Sequence, residues 1–256
     1  MQAEISEKTR GESLPFDSAA PQPWCDNPRQ LIWTGLLTGP FLTVLSILYV
    51  DRPAAAFMHA ARHGTSVLSV AACFREPFMP IAIVCLVATA AFVGVTQRPP
   101  PWARTVITCC VAVIVALLVK EQLKFAFGRT WPESWDPGAP SLIGTGAYGF
   151  HPFHGGEAWA SFPSGHTAMV TSAAGVLWQR MASLRWLWVS LVSAAILALL
   201  GTDSHFVGDI VAGFYLGLGC AAVVLALSHR FGPRPARRAV AAVGMTVGAG
   251  SRSGIL

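Results

Sequence analysis

The chain has 256 residues, 53% of them hydrophobic and only 12% charged. A soluble domain carries roughly twice that charged fraction, and the apolar residues here fall in long runs, so an ordinary soluble globular fold is excluded. The net charge of +5 does not mark a nucleic-acid binder, because the basic residues lie between apolar runs and in the tail rather than along one polar face.

Residues 1–30 are polar and Pro-rich, with no short apolar core near Met1 and no cleavable signal pattern. They read as a flexible cytoplasmic tail. The first apolar run, Leu31 to Val50, is twenty residues without a charge and is long enough to span a bilayer. Asp51-Arg52-Pro53 is expected to end it. Residues 54–76 mix Phe57, Met58 and Leu68 with Arg62, His63 and Arg75, which predicts short helices lying at the membrane surface. A second span is predicted from Met79 to Thr96, and a third from about Thr105 to Phe127. The last two turns of that third span carry Lys120, Glu121 and Lys124.

A long loop, 128–163, follows, rich in Gly, Pro, Trp and His. Structureless loops of that length are uncommon unless they carry function. The fourth span is predicted from Ser164 to about Trp178, the fifth from Trp186 to Thr202 and the sixth from His205 to Leu227. A basic tail, 229–256, closes the chain. The predicted fold class is therefore an all-α integral membrane protein. Six transmembrane helices over 31–228 form a bundle, with short interfacial helices in the first outer loop and the long loop between spans three and four. Lys and Arg concentrate in the two tails and the 97–104 and 179–185 loops, which predicts cytoplasmic termini. The long loop and the turn between spans five and six would then face outward. A bacterial inner membrane is the expected location. Six cysteines, Cys25, Cys73, Cys85, Cys109, Cys110 and Cys220, lie mostly within apolar runs without metal-ligand spacing and read as small buried residues.

Three clusters fall at the same predicted membrane face. Pro163-Ser164-Gly165-His166 opens span four as a helix start. Ser164 suits an N-cap, and the free N–H groups there, with Gly165, attract an anion such as phosphate. A plain capped helix with a surface histidine would look the same. His205 and Asp209, spaced i, i+4, share one helix face. A carboxylate there can hold one imidazole nitrogen and leave the other as a nucleophile. The third cluster offers Lys124 and Arg129 as cations for phosphate oxygens, although interfacial snorkelling uses the same residues. Together they suit cleavage of a phosphate ester. The cations, Ser164 and the helix end neutralise the oxygens, His205 attacks, and His166 protonates the leaving oxygen. Neither a metal ion nor another cofactor is called for.

These motifs resemble those of the type 2 phosphatidic acid phosphatase superfamily, which are K-x6-R-P, P-S-G-H and S-R-x5-H-x3-D. The resemblance covers about residues 31–228. It implies His205 as nucleophile, Asp209 as its orienter, His166 as general acid, Ser164 and Gly165 as phosphate contacts, and Lys124 as the first-motif lysine. Two positions depart from the pattern: Trp131 and Leu199 stand where arginines are expected. Arg129 and Lys120 are the candidates to replace them. The resemblance implies a metal-independent phosphatase acting on a lipid phosphate or pyrophosphate at the outer face, with the bilayer and its lipid as partners. The alternatives are a lipid head-group or phosphoryl transferase using the same residues, and an inactive lipid-binding scaffold.

Overall fold

The computed structural model describes residues 28–61, 78–97, 100–134 and 136–231, and within them all regular structure is helical. The helices are α1 (Pro28–Leu45), α2 (Asp51–Ala61), α3 (Phe78–Thr96), α4 (Pro101–Phe127), the short α5 (Leu142–Thr145), α6 (Gly165–Arg180), α7 (Arg185–Gly201) and α8 (Val207–Phe231). Thr34–Ala61, Trp102–Phe127, Ala182–Gly201 and Val207–Arg230 are long and apolar enough to cross a membrane, with Pro80–Thr96 a shorter apolar helix. Their outer faces leave Leu37, Val95 and Trp186 at 71%, 85% and 84% exposure. So much apolar surface is tolerable only against lipid, and the chain is an integral membrane protein.

The expectation that Asp51-Arg52-Pro53 ends the first span is corrected. A π-helical turn, Ser46–Val50, joins α1 to α2, and the helix runs on to Ala61. Pro53 has no N–H to donate, and a wide turn just ahead of it relieves the broken ladder. Residues 54–61 are thus the continuation of the first membrane helix, not a separate surface helix; residues 62–77 lie outside the described residues. Residues 28–30 of the predicted N-terminal tail belong to α1 and residues 229–231 of the predicted C-terminal tail to α8; the rest of both lies outside the described residues. The third predicted span, α4, starts at Pro101 rather than at about Thr105; the proline's missing N–H costs nothing at a helix's first position.

α6 is the least membrane-like of the predicted spans: 16 residues, about 24 Å at 1.5 Å per residue. It is packed by α4, α7 and α8. A helix screened from lipid needs no long apolar run. Close approach is made by small residues, with Ala112, Val176 and Ala221 in one layer and Ala116, Ala168 and Cys220 in the next. Gly213 and Gly217 of α8 lie so close to α6 that a Cβ would strike the carbonyl oxygens of Ser164 and Ala168. This contact sets the first turn of α6 beside the first turn of α8. Gly213→Val is expected to force the helices apart and cost roughly 1–3 kcal/mol, as overpacking does. The measurement is the midpoint of thermal unfolding in detergent; an unchanged midpoint would show the contact to be soft.

Candidate active site

The described residues of loop 128–163 carry the short helix α5 and a 3-10 turn, Glu157–Trp159. Gly128 ends α4 in the left-handed conformation, φ 55°, and donates its N–H to the Lys124 carbonyl at 2.8 Å. Any larger residue would meet the His151 carbonyl. The chain then runs straight, with Thr130 N–H on the Gly149 carbonyl (3.3 Å) and Ser161 N–H on the Arg129 carbonyl (3.2 Å). Arg129 is held between these two partners and enters the bundle.

There it is fully buried. Its two terminal nitrogens donate to Asp209 Oδ1 and Asp51 Oδ2, both at 2.5 Å, and one also to the Tyr148 hydroxyl at 2.9 Å. Its guanidinium lies over the rings of Phe206 (4.4 Å) and Phe150 (4.9 Å). Burial works against its charge, but the Asp209 and Asp51 carboxylates outweigh that and hold its pKa above the ordinary arginine value. Arg129 was expected to meet phosphate oxygens. In the folded chain it is sealed from solvent and its two terminal nitrogens are turned to the carboxylates of Asp51 and Asp209, not to an open phosphate-binding space.

Asp51 also accepts the Gly208 N–H at 2.7 Å, pinning the first membrane helix to the start of α8. Tyr148 donates to the Ile47 carbonyl at 2.8 Å, inside the π turn. Asp209 accepts from Ser161 Oγ at 2.6 Å and from the Phe206 N–H at 3.0 Å. The backbone carbonyl of Asp209 accepts the Ser164 N–H at 3.0 Å, which ties the cap of α6 to α8. The sequence pointed to none of Asp51, Tyr148 or Ser161. For Asp51 a signal existed: an acid inside an apolar helix is costly and marks a site, but the following Arg-Pro disguised it as a helix end.

His205 is 5% exposed. Its Nδ1 stands 3.7 Å from Asp209 Oδ2, an ion-pair distance longer than a hydrogen bond. Burial is the largest influence on its pKa and, with Lys124 nearby, lowers it from the usual histidine value against the opposing pull of Asp209. The imidazole is therefore neutral near pH 7. The His166 ring, at the start of α6, lies 6.3 Å from the His205 ring between centroids. The Trp131 ring packs against His205 at 5.0 Å between centroids, its indole N–H donating to the Glu157 carbonyl at 2.7 Å.

Ser164 caps α6 as expected, its side chain accepting from the Thr167 N–H. Lys120 lies across Gly165: a Cβ there would come within 2.6 Å of the lysine stem and 2.9 Å of its ammonium group. Lys120 also pairs with Glu121 at 2.7 Å. Lys124 is in electrostatic range of both Lys120 and His205. The two lysines, the α6 N-terminus, His166, His205 and Trp131 are thus neighbours at this end of the bundle.

The profile of the PAP2 superfamily matches residues 105–233. The crystal structure of a transmembrane PAP2-type phosphatidylglycerolphosphate phosphatase from Bacillus subtilis covers 80% of this chain and 97% of its own at 14% sequence identity and a TM-score of 0.37. No curated protein matches the sequence.

Proposed function

The chain belongs to the PAP2 superfamily, and we propose that it hydrolyses a lipid phosphate or pyrophosphate at the outer membrane face, without a metal ion, through a phosphohistidine on His205. The observation that carries this reading is the pairing of His166 and His205, ring to ring at 6.3 Å, where the first turns of α6 and α8 meet. Two imidazoles in separate environments can divide the labour of acid and nucleophile.

In the first step the neutral Nε2 of His205 forms a bond to phosphorus, and the bond from phosphorus to the leaving oxygen breaks. His166, protonated, gives its proton to that oxygen, so the lipid leaves as an alcohol or a lower phosphate. In the second step His166, now neutral, takes a proton from water. The resulting hydroxide displaces His205 and releases inorganic phosphate. Lys120, Lys124 and the N–H groups of Gly165 and His166 would neutralise the phosphoryl oxygens, a task that metal ions perform elsewhere. Cytoplasmic termini, favoured by the basic tails and loops, put this site on the outer side.

A second reading, transfer of the phosphoryl or head group to another lipid, draws on Trp131. An indole packed on His205 where the family pattern has an arginine offers an apolar wall against which an acceptor other than water could rest. The test is phosphate release from a panel of lipid phosphates and pyrophosphates by the detergent-purified chain, with and without chelator. Release that persists in chelator, together with an acid-labile, base-stable phosphoenzyme that builds up in His166→Ala, is the expected result. Transfer between lipids without release would favour the second reading. Lipid binding with neither would make the chain a scaffold.

A further inference from the structure

Among the described residues, the end of the bundle away from the two histidines gathers cations and no Asp or Glu. It is formed by the N-terminus of α4, the C-terminus of α6, the N-terminus of α7 and the C-terminus of α8. Arg104, Arg180, Arg185, His229 and Arg230 come from these four helix ends. Arg104 and His229 are both within electrostatic range of Arg180. Among the described residues every Asp and Glu lies in α2, at the C-terminal end of α4, or in the loops and helix starts at the other end.

Hydrogen bonding at this end is short of acceptors too. Arg180 Nε, Arg185 Nε, one terminal nitrogen of Arg185 and Trp188 Nε1 are buried donors with no partner among the described residues. The contacts that do form are weak: Arg180 to the Ser228 hydroxyl at 3.4 Å, and the Arg185 guanidinium over the Trp178 ring at 5.1 Å. Buried polar groups are nearly always satisfied, and an arginine left unpaired in a membrane is costlier still. Snorkelling alone would turn the guanidinium groups outward to water. Here the Nε of each is shielded from solvent, and Arg185 lies over the ring of Trp178, a side chain that suits the head-group level of a bilayer.

We propose that this end binds the phosphate of an anionic phospholipid in the leaflet opposite the histidine pair. Arg180 and Arg185 would clamp the phosphate oxygens, the Trp188 N–H would donate to a head-group oxygen, and the exposed apolar faces of α7 would carry the acyl chains. A phosphate diester supplies what the cluster lacks: one negative charge and several acceptors in a small volume. The site is independent of catalysis at the other end.

The experiment is native mass spectrometry of the full chain released from detergent, titrated with phosphatidylglycerol or with phosphatidylcholine. Thermal unfolding in the same lipids is followed in parallel. The wild type is expected to retain phosphatidylglycerol over phosphatidylcholine. The pair Arg180→Gln and Arg185→Gln is expected to lower that retention at least fivefold and to abolish the stabilisation by the anionic lipid. Lys124→Gln serves as the control for lipid held at the histidine end and should leave retention unchanged. Arg180→Lys with Arg185→Lys keeps the charge and loses the planar fork; it should fall between. Equal retention of the two lipids overturns the proposal, as does loss in Lys124→Gln instead of the arginine pair. Saturation by inorganic phosphate with no effect of phosphatidylglycerol also overturns it, because the ligand would then be a free anion.

Discussion

Arg129→Ala is expected to destabilise the protein by about 3–5 kcal/mol, the cost of stranding buried carboxylates without their counter-charge. Asp51 and Asp209 are both fully buried, and Arg129 bridges them. Its removal leaves two like charges facing each other within the helix bundle. Phosphate release should fall with it, because Asp209 loses the partner that fixes its position behind His205. Arg129→Lys keeps one charge and lacks the second arm, so it should recover only part of the loss. The Asp51→Asn variant reads the other half of the bridge. It leaves Asp209 paired with Arg129, and a drop in turnover there without a matching drop in stability would show that the first membrane helix positions the site. Thermal unfolding in detergent and steady-state assays measure both quantities. An unchanged melting temperature in Arg129→Ala would contradict the bridge.

His205→Ala is expected to lower kcat by four orders of magnitude or more, roughly as removal of a covalent nucleophile does. His166→Ala should cost about 10²–10⁴, the usual share of a general acid, and less for a substrate with a good leaving group. The pH dependence follows from burial. A nucleophilic imidazole must be unprotonated, and the His205 pKa is pushed below its ordinary value. The neutral form therefore persists as pH falls, and the acid limb of kcat should lie below about 6.5. Folding stability has the same sign. The unfolded chain binds a proton to this histidine more readily than the folded one, so stability rises with pH through that range and falls on acidification. Turnover that survives His205→Ala, or an acid limb well above 6.5, would remove His205 from the nucleophile's role.

Much of the chain could be read without coordinates because a bilayer simplifies the code. Apolar runs of bilayer length became helices close to where they were expected, since a backbone in lipid has few other ways to satisfy its hydrogen bonds. Pro163-Ser164-Gly165-His166 announced a capped helix, because a cap is a relation between near neighbours; His205 stands 3.7 Å from Asp209 but precedes α8, so the pair does not share a helix face as expected. The contacts that bring these turns together, Gly213 and Gly217 of α8 against the carbonyls of α6, are visible only in the packing.

The rest was decided by distance along the chain. Asp51 meets Arg129 and Gly208 across 78 and 157 residues, and nothing local in the sequence distinguishes it from a charge ending a helix. Arg129 shows the same limit from the other side. Beside a predicted phosphate site, a cation that faces the ligand and one that braces a carboxylate have the same sequence signature. Tertiary structure separates them by burial: Arg129 is enclosed by Asp51, Asp209, Tyr148 and aromatic rings, whereas Lys120, with 14% of its side chain exposed, lies across Gly165 at the start of α6. Sequence alone determined that this is a membrane bundle with two histidines at helix starts, because hydropathy and capping are local properties. Which cation is buried against the carboxylates and which lies beside the α6 cap was settled only by the fold, because charge acts through space and the sequence does not record that space.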